Sequence, residues 1–154
     1  MCKRKPEPVC AQFNDSGCAL SGVMMKVEFE SGAKHHVGLK YMDKAGTYNA
    51  AMTVRLAEPW ANANGLVYGD ARFTSVKAAY HQMAELDVDS LGDLKTGSAL
   101  FPRKELSRLV AKEHGSIAGM TASMKLPSGA TFPLYAIGQR RGPAVHTFLT
   151  KARA

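Results

Sequence analysis

The carboxylate best placed for chemistry is Asp70, in the segment Gly65-Leu66-Val67-Tyr68-Gly69-Asp70-Ala71-Arg72-Phe73-Thr74-Ser75. There an apolar run of strand formers ends on an acid, just before a helix-start signal. An α/β fold sets a catalytic metal ligand at such a place, where the strand end opens onto a crevice. The same residues suit ordinary turn chemistry, with the carboxylate capping the helix or bending the loop. A second acid, Asp15, falls in Asn14-Asp15-Ser16-Gly17, which reads as a turn after a strand and is also what a plain hairpin would use.

These acids need a sheet and helices to hold them. Periodicity predicts strands at 9–13, 22–30, 65–69, 91–96, 116–126, 131–138 and 144–150, and helices at 46–57, 74–85 and 102–113. A loop or edge strand is expected over 35–41. Val23, Met25, Val27 and Phe29 alternate with Met24, Lys26, Glu28 and Glu30, the pattern of a half-buried strand. Tyr48, Met52 and Leu56 give the first helix an apolar stripe; Val76, Ala79, Tyr80 and Met83 do so for the second, and Leu106, Leu109 and Val110 for the third. Thr74 or Ser75 can cap the second helix. Pro127-Ser128-Gly129 and Arg141-Gly142-Pro143 read as hairpin turns.

The chain has 154 residues, enough for one domain with a core and too few for two. No run approaches the ~20 apolar residues of a membrane span, and the start, Met1-Cys2-Lys3-Arg4-Lys5-Pro6, lacks the apolar stretch of a signal peptide. An intracellular or nuclear protein, not a secreted or membrane one, is expected. Cys2, Cys10 and Cys18 are an odd set that suits neither a disulfide framework nor a zinc knuckle, so reduced thiols are the simpler reading. Adjacent His35 and His36 lack zinc-ligand spacing.

A net charge of +7 predicts attraction to polyanions, since each basic group near a phosphate releases condensed counterions. Basic residues cluster at 3–5, along the predicted third helix (Arg103, Lys104, Arg108, Lys112) and near the end (Arg140, Arg141, Lys151, Arg153). Arg72, Lys95, Arg103, Lys104, Arg140 and Arg141 are the candidate nucleic-acid contacts. The alternative is a basic surface that is merely well solvated.

The segment Tyr68-Gly69-Asp70-Ala71-Arg72-Phe73-Thr74-Ser75 resembles the tyrosine-x-aspartate-x-x-phenylalanine-threonine-serine stretch around the second catalytic aspartate of piggyBac-type transposases. Leu56-Ala57-Glu58-Pro59-Trp60 is similar to the stretch that closes the helix before it. Leu91-Gly92-Asp93-Leu94-Lys95-Thr96 with Phe101-Pro102-Arg103-Lys104-Glu105-Leu106 resembles the following strand and proline-started helix, although Asp93 and Leu94 stand where the family has threonine and valine. Tyr135-Ala136-Ile137-Gly138 and Val145-His146-Thr147-Phe148-Leu149-Thr150 are similar to a later strand pair. The resemblance runs from about Lys5 to Thr150.

It implies a single domain over 1–154, an α/β, ribonuclease H-like mixed sheet with flanking helices, forming part of a transposase catalytic core. It implies magnesium-dependent cleavage and joining of DNA, with Asp15 in the place of the first aspartate and Asp70 in that of the second, both as metal ligands on neighbouring strands of one sheet. No small-molecule cofactor is implied. The family's third aspartate lies further downstream, and no Asp or Glu follows Glu113 here. Asp87, Asp89 and Asp93 stand at the wrong places to replace it, and Asp87-Val88-Asp89-Ser90 reads as a solvated loop. The expectation is therefore a truncated, catalytically incomplete transposase-derived chain that binds DNA. The alternative is a non-catalytic domain that keeps the fold and binds nucleic acid or a protein partner.

Overall fold

Three short polar side chains organise the helical layer of the computed structural model, which describes residues 12–30, 36, 38–95 and 100–151. Thr47 accepts the Ala50 N–H and starts α2 (Tyr48–Ala57); Ser75 accepts the Ala78 N–H and starts α3 (Val76–Leu86). Thr74, the other candidate cap, instead donates its hydroxyl to the Gly69 carbonyl at 3.0 Å. The short α1 (Met42–Ala45) precedes α2, and α4 (Arg103–Leu109) lies further along.

The strands form two separate sheets. β1 (Phe13–Gly17) and β2 (Met24–Phe29) make an antiparallel hairpin. The larger sheet has the order β3-β4-β7-β6-β5, from β3 (Leu66–Gly69), β4 (Asp89–Asp93), β5 (Ile117–Lys125), β6 (Thr131–Arg141) and β7 (Ala144–Lys151). β3 and β4 run parallel and are joined through α3; every other pairing in that sheet is antiparallel. The domain is thus mixed α/β, with a five-stranded mixed sheet and packed helices. Among the described residues, no helix is long and apolar enough to cross a membrane.

The core lies between one sheet face and the helices. Val76, Ala79 and Met83 of α3 pack on Leu94, Phe132, Leu134 and Leu149, with Tyr80 at the margin. Leu106 and Val110 close over Gly138, where an added Cβ would meet Val110 at 2.9 Å. Leu109, expected on the same stripe, is 57% exposed, because the short α4 presents only Leu106 to the sheet. α2 is buried along nearly its whole length, between α3 on one side and the hairpin on the other.

The hairpin departs from expectation in two ways. Asn14-Asp15-Ser16-Gly17 is strand rather than turn; the reversal comes at 18–22, closed by Cys18 N–H to Val23 O at 2.9 Å, with Gly22 in the left-handed region. Residues 9–11 of the expected first strand lie outside the described residues. The alternation in β2 is also turned inside out. Val27 and Phe29 are 47% and 56% exposed, while Lys26, Glu28 and Glu30 are half-buried. The polar face packs inward because it finds partners there: Lys26 with Glu58, Glu28 with Arg55 and Glu30 with Arg72. The expected loop at 87–90 is likewise replaced: Asp87 caps α3 at φ 53°, and Asp89 already opens β4.

Candidate functional site

Asp70 follows β3 directly, and its turn is built by its own atoms. Its Oδ1 accepts the Arg72 backbone N–H at 2.7 Å, and its carbonyl accepts N–H bonds from Phe73 and Thr74 at 3.1 and 3.0 Å. The carboxylate is exposed and also serves the turn chemistry that its residue type permits. Below the turn sits Gly92 of β4. A Cβ there would stand 2.0 Å from the Thr74 hydroxyl oxygen and 2.3 Å from the Gly69 carbonyl, so only glycine lets the turn seat on the sheet.

Asp15 is exposed in the middle of β1, opposite Val27. The expectation that it neighbours Asp70 within one sheet is not met: β1 pairs with β2 alone, and β3 pairs with β4. The cause lies in what β1 leans on. Ser16 donates its hydroxyl to the Leu56 carbonyl at 2.7 Å, tying the strand to the end of α2. The hairpin is held from its polar face by Arg55, whose Nε and Nη2 donate to the two Glu28 oxygens at 2.7 and 2.8 Å.

Both aspartates nevertheless line one cavity of about 630 Å³, which runs between β1 with its turn and β3. Its wall is largely apolar, with Leu56, Trp60, Val67 and Phe73, and among the described residues no lysine, arginine or histidine lines it. Sequence reasoning gave no hint of Trp60 or Ser90 as wall residues. Ser90 is buried, and its hydroxyl has no hydrogen-bond partner among the described residues. At the margin, Tyr68 donates to Asp93 at 3.3 Å, and the Asp93 charge pushes the phenol's pKa up. Cys18 lies on the same wall, its thiol pKa lowered by hydrogen bonding to Ser21.

Carboxylate oxygens are the donors magnesium takes. Among the described residues, however, no group of three His, Cys, Asp or Glu side chains is gathered to hold a metal. The donor type fits and the donor number falls short, so no reaction step is built on a metal here.

The candidate DNA contacts are in different states. Arg72 is paired with Glu30 and lies over the Phe73 ring at 6.0 Å from its centroid. Arg140 is a structural clamp, donating to the carbonyls of Ala111, Pro143 and Val110 at 3.3, 3.2 and 3.5 Å. Arg141 bonds Gln139, and Arg103 reaches the Thr147 hydroxyl. Lys95 and Lys104 are exposed. None of the six lines the cavity.

Glu58, in the 3₁₀ turn after α2, receives Lys26 and, at 2.5 Å, Lys40. Burial pushes its carboxyl pKa up, but the two lysine hydrogen bonds outweigh this and hold it at about 2. The pair fastens the polar face of β2 to the end of α2.

No family model, curated protein or solved structure matches this chain.

Proposed function

We propose that this chain is a DNA-binding derivative of a cut-and-paste transposase of piggyBac type, with a ribonuclease H-like ancestry and an incomplete carboxylate site. The observation that carries the reading is the meeting of Asp15 and Asp70 on one cavity although their strands belong to different sheets. The resemblance of Tyr68 to Ser75 to the second-aspartate segment supports it, as does the placement of Asp70 just past a strand of a parallel β3-α3-β4 unit. Among the described residues no cationic side chain lines the cavity, so there a phosphate would approach these two carboxylates with a cation between them. Two aspartates supply fewer ligands than the several that two divalent ions require, so stabilisation of both attacking and leaving oxygens is not expected. DNA is held instead through the exposed basic surface that includes Lys95 and Lys104, and a nuclear location goes with that role.

A second reading is a non-catalytic interaction domain on the same fold. It is favoured by the bond from Arg72 N–H to Asp70, which gives the carboxylate a structural use. One experiment separates them. The chain is titrated with magnesium and manganese while the amide signals of Asp15 and Asp70 are followed, beside Asp15→Asn and Asp70→Asn. Saturable shifts at both residues, lost in either variant, support the metal-site reading; no shift at either leaves the interaction domain. In parallel, DNA affinity is measured against salt, where a steep linear fall of log affinity with log salt is expected. A flat plot, or no binding at low salt, removes nucleic acid from both readings.

A further inference from the structure

The last strand in the order β3-β4-β7-β6-β5 is long and unguarded. β5 runs nine residues and is paired with β6 in unbroken register from Ile117↔Gln139 to Lys125↔Thr131. Among the described residues, no strand pairs with its other edge. Edge strands are normally protected by charges, prolines, bulges or short length, because their unpaired N–H and C=O groups template further pairing. In β5 the only charge is Lys125 at the end, and there is neither proline nor bulge. The opposite edge of the sheet, β3, is only four residues long.

The flanking bonds set which groups face outward. Leu126 N–H goes to Ala130 O, and Arg140 N–H goes to Ser116 O. By the alternation of an antiparallel ladder, the even-numbered residues of β5 bond to β6, leaving Ile117, Gly119, Thr121, Ser123 and Lys125 with N–H and C=O directed away. Thr121 is the middle residue of the strand.

We propose that β5 pairs antiparallel with β5 of a second copy of this chain, about a twofold axis at Thr121, joining the two five-stranded sheets into one. The strand is self-complementary about that point. Thr121 meets Thr121, Gly119 meets Ser123 and Ile117 meets Lys125, so five residue pairs give about ten backbone hydrogen bonds. The two lysines stand at opposite ends of the seam, where each aliphatic stem covers the partner's Ile117, which is 65% exposed in one copy. At net charge +7 two chains repel in general, and this alignment keeps the one charge of each β5, Lys125, at opposite ends of the seam. With no charge from Ile117 to Met124, the edge offers nothing to select a charged foreign strand. An identical strand satisfies it, and twofold pairing closes without further growth.

Sedimentation and light scattering of the full chain test this. At about 100 μM, the wild type is expected near twice its 16.6 kDa mass, dissociating on dilution. Thr121→Lys and Thr121→Glu, each placing like charges at the dyad, are expected to weaken association by at least about tenfold, and their equimolar mixture to recover the dimer. Should the charged variants fail to fold by circular dichroism, Thr121→Pro removes an outward N–H without touching the ladder to β6 and gives the same readout. A wild type that stays at 16.6 kDa, a dimer indifferent to every folded Thr121 variant, or folded charged variants that do not pair when mixed would overturn the proposal.

Discussion

Replacing Glu28 by Gln tests what holds the hairpin, and Asp15 with it, against the rest of the domain. The Arg55 side chain is only 7% exposed and Glu28 16%, and the two are joined by bonds of 2.7 and 2.8 Å in fork geometry. The substitution keeps the shape of Glu28 but leaves a buried guanidinium facing a neutral amide, with the Lys40 carbonyl at 2.9 Å as its remaining partner. Breaking a buried pair from one side typically costs about 3–5 kcal/mol. Since Glu28 keeps some solvent and Arg55 keeps one acceptor, the lower end applies, about 3 kcal/mol. With a urea slope of about 2 kcal/mol per molar for a chain of this size, the unfolding midpoint falls by about 1.5 M. Hydrogen exchange should show β1 and β2 losing more protection than β6, because the pair bridges the hairpin and α2. Arg55→Met combined with Glu28→Leu removes both charges and should be less destabilised than Glu28→Gln alone. The reasoning fails if Glu28→Gln stays within about 0.5 kcal/mol of wild type, or if the double variant is the weaker of the two.

Two further outcomes follow from single positions. Gly92→Ala should destabilise by about 3 kcal/mol or more, because the new Cβ meets a backbone carbonyl at 2.3 Å, whereas Gly138→Ala, which meets only side chains at 2.9 to 3.2 Å, should cost about 1–2 kcal/mol; urea titration of both checks the order. Glu58, held at about 2 against its ordinary 4.5, contributes stability that is fully present above about pH 4.5 and is lost as pH falls through about 2. The side chain is 23% exposed and its Lys40 partner 64%, so solvent screening reduces the contribution to about 1 kcal/mol. The stability gap between wild type and Glu58→Gln should therefore be open at pH 7 and nearly closed at pH 2, and a gap that widens in acid would refute the assignment.

Much of the larger sheet was legible because its signals are local. Ser75 caps α3 as its type and place suggest, Pro127 to Gly129 and Arg141 to Pro143 make their turns, and the run Leu66 to Gly69 ends at Asp70 as a strand should. The hairpin was misread because alternation shows that a strand has two faces without showing which one packs. That choice was made by Glu28 with Arg55 and by Lys26 with Glu58, partners far away in sequence. The turn was misplaced for a related reason: Asn14 to Gly17 and Cys18 to Gly22 both contain turn residues, and the register with β2 selects the second. Nor does any local pattern tell that β7 would take its place between β4 and β6, or that Trp60 and Ser90 would wall the cavity.

The two aspartates are set by different devices, which the Arg72–Glu30 ion pair joins. Asp70 is fixed by its own turn, seated on β4 through Gly92 and Thr74, and so moves with the five-stranded sheet. Asp15 moves with a hairpin that is fastened to α2 by one hydroxyl bond and a set of ion pairs. Adjacent strands of one sheet would fix two carboxylates through a ladder repeating at about 4.8 Å, a spacing on the scale at which divalent ions are shared. Here the link runs instead through α2 and through ion pairs, Arg72 with Glu30 among them, which respond to pH and salt as a backbone ladder does not. The placement of the hairpin, and of Asp15 with it, against the Asp70 turn therefore rests on side-chain electrostatics, with Arg55–Glu28 tying the hairpin to α2 and Arg72–Glu30 tying it to the turn.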